Sequence, residues 1–235
     1  GAIGQGGTVG PFNTYDFSAA GVLLLDPQSQ ITANGYYQSV VERHLLSGNQ
    51  ISNPGLNSTY EITVVADFVS NITSNTAFGE TFSVTSGKFS LWLDASTDHN
   101  FNADTGFNNG KKIMSGNVLS GVGSNISLGG GVTAGFGSLK LQVTSYDTTV
   151  YQPNTIGAGD SIFTLWLNLP ANSAFIDPIT RVQGVTYDIG SGDRKYAADG
   201  NLILTPVPEP ESYAMLLAGL GLLGTIARRR SKASA

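Results

Sequence analysis

Apolar and polar residues alternate with a period of two in short segments spread over residues 1–205. Clusters of Gly, Asn, Ser or Pro separate these segments, and the combination is typical of half-buried antiparallel strands joined by turns. The pattern predicts an all-β domain over residues 1–205, an antiparallel β-sandwich with a jelly-roll-like arrangement. The predicted strands are residues 61–69, 88–94, 138–146, 161–169 and 184–189, with weaker candidates at 21–26, 80–84 and 201–205.

Two further segments are less regular. Residues 34–51 fit either a helix or strands, and we interpret them as two strands that turn near Ser47, Gly48 and Asn49. Residues 129–137, "GGGVTAGFG", are followed by no helical pattern that could offer N–H groups to a phosphate, as a phosphate-binding loop requires. We therefore predict a flexible turn at residues 129–137.

Two predicted strands repeat one pattern, "FSLWLD" at 89–94 and "FTLWLN" at 163–168. Because side chains alternate across a strand, the phenylalanine and both leucines of each segment share one face and the tryptophan takes the other. We predict that the phenylalanines and leucines face the core and that Trp92 and Trp166 face outward. An outward tryptophan is either a stacking platform for a sugar or a side chain covered by a neighbouring segment.

Composition narrows the possible partners. Charged residues make up only 12% of the chain, and residues 1–208 hold 15 acidic and 8 basic side chains. The domain thus lacks the basic face that nucleic-acid binding requires, and we expect no such partner. Cysteine is absent, so neither disulfides nor thiolate metal sites contribute to stability.

A dense polar segment, "LDASTDHNFNADTGFNNGKK", follows the first tryptophan pattern. Oxygen-bearing side chains at alternate positions are one way in which a loop wraps a hard cation, so calcium is a candidate ligand. The EF-hand pattern fails, because Ala103 and Asn109 stand where Gly and Glu are required. The alternative is an Asx-rich surface turn. The candidate calcium ligands are Asp94, Asp98, Asn100, Asn102 and Asp104.

Catalytic motifs are absent from the sequence. It contains no Gly-X-Ser-X-Gly, no His-Glu-X-X-His and no phosphate-binding Gly-X-X-X-X-Gly-Lys-Ser/Thr pattern. Glycoside hydrolysis needs two carboxyl groups that face each other across a cleft, and a sequence cannot show such a pair. We therefore expect a protein that is not an enzyme, with a secreted carbohydrate-active enzyme as the alternative.

The last thirty residues differ from the rest of the chain. A Pro-Glu-Pro segment at 206–212 precedes an apolar run at 213–227 and a basic end at 228–235. A helix over the apolar run spans about 22 Å at 1.5 Å per residue, short of the bilayer core of about 30 Å but close enough to insert. Basic flanks stay on the cytoplasmic side, which places the domain outside the membrane. A core helix of a soluble domain is disfavoured, because the run has no polar residues at a 3.6-residue period.

This tail resembles the PEP-CTERM sorting signal of Gram-negative bacteria. The resemblance implies an exosortase as partner, a transient anchor in the inner membrane, and removal of the helix before the protein reaches the cell surface or an extracellular matrix. The residues that match the signal are Pro208, Glu209 and Pro210, followed by Arg228, Arg229 and Arg230.

The body of the chain is similar to flocculation-associated PEP-CTERM proteins. The similarity rests on "LWLDASTDHNFNADTGFNNGKKIMSGNV" and on "TLWLNLP". It implies a role in cell aggregation alongside secreted exopolysaccharide, without catalysis. Under this interpretation Trp92 and Trp166 are candidate glycan-binding residues.

Overall fold

The computed structural model describes residues 3–4, 7–129, 132–151, 156, 162–170 and 176–205. Within these residues the regular structure is predominantly β-strand, and a 3₁₀ turn occurs at Ile189–Ser191, so the prediction of an all-β antiparallel domain is confirmed. The predicted helix at 213–227 lies outside the described residues. The strands are β1 Ile3–Gly4, β2 Gly7–Thr8, β3 Thr14–Phe17, β4 Val22–Pro27, β5 Thr32–Leu46, β6 Asn49–Gln50, β7 Glu61–Thr76, β8 Gly79–Asp94, β9 Lys111–Gly129, β10 Val132–Tyr146, β11 Ile162–Leu169, β12 Arg181–Val182, β13 Val185–Thr186, β14 Arg194–Ala197 and β15 Asp199–Thr205.

One large antiparallel sheet closes on itself. Strands β7 to β11 pair in chain order, and β15, β3 and β5 continue the sheet from β11. The long strand β5 closes the ring, because one of its edges pairs with β3 and β4 while the other pairs with β7. Each strand of the ring is thereby paired with a neighbouring strand on both sides. The jelly-roll-like sandwich stays a prediction.

The hydrophobic core fills the inside of this closed sheet. Alternate residues of each strand point inward, as in Ile62, Val64, Ala66 and Phe68 of β7, all of which are buried. This is the period-two pattern expected for a sheet with one buried face. The largest fully buried side chains include Tyr15, Tyr37, Tyr60, Phe17 and Phe163.

Strand β9 is one of the longest strands, yet no regular alternation in the sequence predicts it. Glycines interrupt its alternation, yet Gly116 lies directly opposite Phe89 and Gly123 lies opposite Phe82 on β8. A Cβ at Gly116 would stand 2.7 Å from the Phe89 ring, and one at Gly123 would stand 2.2 Å from the Phe82 ring. The aromatic rings of β8 therefore occupy the space above the glycines of β9. Glycine at these positions allows close packing between the two strands.

Two local predictions need correction. The turn predicted at 129–137 is strand from Val132 onward, because Gly135 packs its Cα against the β9 backbone, where a Cβ would stand 2.3 Å from the Ser124 carbonyl oxygen. The strand predicted at 184–189 is reduced to β13, Val185–Thr186. The turn predicted near Ser47, Gly48 and Asn49 is confirmed between β5 and β6.

A second, smaller apolar cluster lies on the outer face of β4. It joins Val22 and Leu24 to Ile179 and Val182, with Phe101 packed against it. The segment that carries the β12–β13 hairpin therefore covers this part of the sheet from outside, together with the Asx-rich loop at residues 95–110 that connects β8 to β9.

His44 on β5 is fully buried among aromatic rings. The ring centroid of Phe12 lies 4.5 Å away and that of Tyr15 lies 5.0 Å away. Nδ1 lies 2.7 Å from the side-chain nitrogen of Asn53, while Nε2 has no hydrogen-bond partner among the described residues. Burial disfavours the charged imidazolium and lowers the pKa of His44 to about 4.

This histidine should make the folded state sensitive to acid. The pKa is about 6.5 in the unfolded chain and about 4 in the folded protein, so the unfolded state binds more protons between these values. The free energy of unfolding should therefore fall by about 3 kcal/mol from this group as the pH drops from 7 to 4. Urea unfolding of the wild type and of His44→Leu at several pH values tests this. Plots of the free energy of unfolding against pH should run parallel for the two proteins above pH 7 and should converge or cross on acidification. Parallel plots over the whole range would contradict the lowered pKa of His44.

Candidate functional site

The Asx-rich loop is held to the sheet by a buried carboxylate. Glu61, the first residue of β7, has a fully buried side chain. Its Oε1 accepts hydrogen bonds from the backbone N–H groups of Asp98 and His99 at 3.2 and 3.0 Å, and its Oε2 lies 2.5 Å from Nδ1 of His99. The rings of Phe101 and Phe107 flank His99. Glu61 could not be predicted from the sequence, because a single acidic residue at a strand start carries no local signal.

Asp104 ties the loop to the β12–β13 hairpin. Its backbone has a positive φ of 57°, and its carboxylate accepts the backbone N–H groups of Gln183 and Gly184 at 2.9 and 2.6 Å. It also accepts from the side chain of Gln38 on β5 at 3.1 Å. Gln183 in turn donates to the carbonyl oxygens of Tyr37 and Ala66. Asp104 thus joins the loop, the hairpin and the sheet.

The other candidate calcium ligands have separate partners. Asp94 accepts from the backbone N–H of Ser96, and Asn100 accepts from that of Ala103. Asp98 accepts from the side-chain amide of Asn109, and Asn102 is exposed at the loop surface. In the part of the chain that the structure describes, no three His, Asp or Glu side chains group around a metal position. These contacts support the surface-turn interpretation, and calcium binding stays a prediction.

The two tryptophan patterns face as the alternation predicts. The Phe and Leu positions of both segments pack in or against the core, and the tryptophans take the opposite face. Trp92 is half-buried, donates to Oγ of Ser90 at 2.9 Å and has Nζ of Lys112 4.7 Å from its ring centroid. Trp166 is 47% exposed. The same six-residue pattern therefore produces one covered and one open tryptophan.

The open tryptophan lies on a face made by β9, β10 and β11. Ser138 stands directly opposite both Trp166 and Val122, and the next outward residue of β10, Lys140, stands opposite Thr164 and Ser120. Phe136 continues the same side of β10 and is 50% exposed. A shallow depression of about 390 Å³ lies beside Phe136 on this face and is lined by Ser120, Gly121, Val122, Ser138, Lys140, Thr164 and Trp166. We call this surface the Trp166 face: Ser120, Val122, Phe136, Ser138, Lys140, Thr164 and Trp166.

A separate groove of about 380 Å³ crosses β5, β7 and β8. Tyr36, Asp67 and Lys88 form one cross-strand row in it. Burial raises the pKa of Asp67, with the Lys88 ammonium opposing the shift. Burial also raises the pKa of Tyr36, and the carboxylates of Asp26 and Asp67 add to that rise. Asp67 is the acidic residue among those that line this groove.

Comparison with protein families identifies the tail. Residues 206–231 match the model described as the PEP-CTERM protein-sorting motif. The tail is a PEP-CTERM motif. The match contains all six residues that the sequence assigns to the sorting signal: Pro208, Glu209, Pro210, Arg228, Arg229 and Arg230. It covers none of the described β-domain.

The PEP-CTERM motif implies that an exosortase sorts this protein for export to the surface or the extracellular space. Comparisons with curated proteins and with solved structures give no match. The described residues include no helix of sufficient length and apolar character to cross a membrane, and the PEP-CTERM segment lies outside them. Evidence on the role of the domain therefore comes from its own surface.

Proposed function

We propose that this exported protein promotes cell aggregation in an extracellular matrix by binding exopolysaccharide through the Trp166 face, without catalysing a reaction. The apolar run at 213–227 serves as a transient inner-membrane anchor until exosortase removes it. The observation that carries the proposal is the exposure of Trp166 within a surface of serine and threonine hydroxyls, on a protein that the PEP-CTERM motif directs outward.

The chemistry of the Trp166 face suits a polymer of sugars. An indole ring offers a flat apolar surface with a polar edge, which fits the C–H face of a sugar. The hydroxyls of Ser120, Ser138 and Thr164 can donate and accept hydrogen bonds around it. The depression is shallow and spans three strands, so a chain can lie across it, and repetition along a polymer multiplies weak contacts. Trp92 is a weaker candidate, because Lys112 already lies against its ring.

Cell aggregation provides the test. A strain that lacks the gene should grow normally and make polysaccharide but should stay dispersed. Complementation with Trp92→Ala should restore flocs, whereas complementation with Trp166→Ala should not, with surface levels of both variants measured as the control. Normal flocs in the deletion strain would refute the proposal.

Processing of the tail is tested separately. Mass spectrometry of protein released from cells should find a C-terminus near Pro210. Replacing Pro208, Glu209 and Pro210 with alanine should leave the full-length chain in the membrane fraction. Recovery of only full-length chain from the matrix of wild-type cells would argue against a transient anchor.

A secreted carbohydrate-active enzyme is the second candidate, and the groove at Tyr36 favours it. Asp67 lines this groove, and burial raises its pKa, as the acid of a glycosidase requires. Release of reducing sugars by the purified protein, lost in Asp67→Asn, would establish this activity. We expect no such release.

Calcium binding by the Asx-rich loop is an independent proposal. A cation that binds only the folded state raises the melting temperature by mass action. Millimolar calcium should then raise the melting temperature of the wild type, and the rise should be lost in Asp98→Asn, while magnesium at the same concentration controls for ionic strength. An unchanged melting curve would leave the surface-turn interpretation.

A further inference from the structure

We infer that the Trp166 face selects an acidic saccharide, whose sugar ring stacks on Trp166 while its carboxylate or sulfate pairs with Lys140. The inference rests on the proposed function and goes further, because it names the chemical class of the glycan. Three features of this surface carry it: the position of Lys140 relative to Trp166, the lack of competing charge, and the contrast with the Trp92 pattern.

Lys140 and Trp166 are diagonal neighbours on adjacent strands. Lys140 lies opposite Thr164, and Trp166 lies opposite Ser138 two residues along the same register. Diagonal neighbours on one face of an antiparallel pair stand about 7 to 8 Å apart, within reach of long side chains. A ring that stacks on Trp166 therefore presents its exocyclic groups to the Lys140 ammonium. Both residues line the same depression.

Lys140 is the one charged residue among the described residues that line the depression. The other lining residues are Ser120, Gly121, Val122, Ser138, Thr164 and Trp166, none of which carries charge. Within the described residues Lys140 has no ion-pair partner, whereas Lys111 pairs with Asp147 and Arg194 pairs with Glu80. The ammonium is thus open to an external anion on a protein whose net charge is −5.

Charge decides between an acidic and a neutral sugar at this position. A carboxylate or sulfate bound to Lys140 makes a charge-assisted hydrogen bond, which is stronger than a bond to a neutral hydroxyl. Elsewhere the acidic surface repels such a ligand. The Trp166 face therefore concentrates acidic saccharide at the one open tryptophan that the described residues provide.

The Trp92 pattern supplies a matched control within the same molecule. It also places a lysine beside an outward tryptophan, but Nζ of Lys112 lies 4.7 Å from the ring centroid and covers the ring itself. Trp92 is half-buried and bonded to Ser90. Lys112 occupies the face of that ring on which a sugar would stack, so Trp92→Ala should leave saccharide binding unaltered.

Binding of the surface-recovered protein to two related polymers tests the inference. The probes are a polyuronate such as alginate and its carboxyl-reduced, neutral derivative, compared by calorimetry at two salt concentrations. Wild type should bind the polyuronate about tenfold more tightly, a difference of about 1.4 kcal/mol per site. Lys140→Gln should lose this preference and the salt dependence, Lys140→Arg should retain both, and Trp92→Ala should match the wild type. Trp166→Ala should bind neither polymer.

The outcomes separate the inference from the proposed function. Equal binding of both polymers by the wild type, lost in Trp166→Ala, would overturn the acidic selectivity and leave the proposed function in place. Binding of neither polymer by the wild type would overturn both. A wild-type dimer that Trp166→Ala converts to a monomer in sedimentation, without saccharide binding, would identify the Trp166 face as a self-association surface and would overturn the inference. Melting curves of each variant confirm that it is folded.

Discussion

Leu165→Ala should lower the free energy of unfolding by about 3 kcal/mol, whereas Trp166→Ala, one residue further along β11, should lower it by no more than about 1 kcal/mol. Leu165 is 1% exposed and belongs to the core cluster. Truncating it removes apolar contacts and leaves a cavity that the closed sheet cannot collapse to fill. Trp166 is 47% exposed, so its truncation removes mainly contacts on the outer face.

Urea unfolding of the two variants measures this contrast. The change should appear in the midpoint for Leu165→Ala, with an unchanged dependence on denaturant. The first tryptophan pattern provides a replicate, because Leu91 is fully buried and Leu91→Ala should behave like Leu165→Ala. A larger loss from Trp166→Ala than from Leu165→Ala would show that the faces of β11 are assigned wrongly.

Glu61→Ala should destabilise the domain by roughly 2 to 4 kcal/mol, because it removes a buried carboxylate and leaves its donors without an acceptor. The donors are the backbone N–H groups of Asp98 and His99 and the imidazole of His99. Without these hydrogen bonds the start of the Asx-rich loop loses its attachment to β7. Its amides should then exchange with solvent faster than those of the sheet.

Hydrogen exchange and urea unfolding together measure this effect. Glu42→Ala is the matched control, since the Glu42 side chain is 43% exposed and its ion-pair contact with Arg43 is 3.8 Å long. A surface pair of this kind contributes little, so the control should lie within about 0.5 kcal/mol of the wild type. Faster exchange confined to the Asx-rich loop in Glu61→Ala supports the assignment, and unchanged exchange there would refute it.

Strand positions could be predicted where apolar and polar residues alternate regularly. They could not be predicted where glycines that pack against a neighbouring strand interrupt the alternation. The segments at 61–69 and 161–169 alternate cleanly, and they contain the first part of β7 and all of β11. Strand β9 was not predicted, because Gly116 and Gly123 break the pattern. Their suitability for a strand depends on Phe89 and Phe82 of a different strand, which is information that no local window contains.

The Asx-rich loop shows the same division. Its composition indicates a polar segment, and the structure places residues 95–110 of that segment between β8 and β9. Which oxygen binds which donor depends on segments far away in the chain, since Asp104 meets Gln183 and Gly184 and the loop meets Glu61. The sequence therefore suggested a cation loop, while the tertiary contacts show a network of hydrogen bonds among distant segments.

By itself the sequence determined the all-β class, the inward and outward faces of the regular strands, and the PEP-CTERM tail, because alternation and motif spacing are local properties. Only the tertiary structure decided how β5 closes the sheet and which of two equivalent tryptophans is open. Trp92 and Trp166 occupy the same position in the same pattern, yet Lys112 covers the first, and the second faces solvent. Alternation fixes the side of the sheet on which a residue lies, and the neighbours brought there by non-local pairing fix whether that residue can reach a ligand.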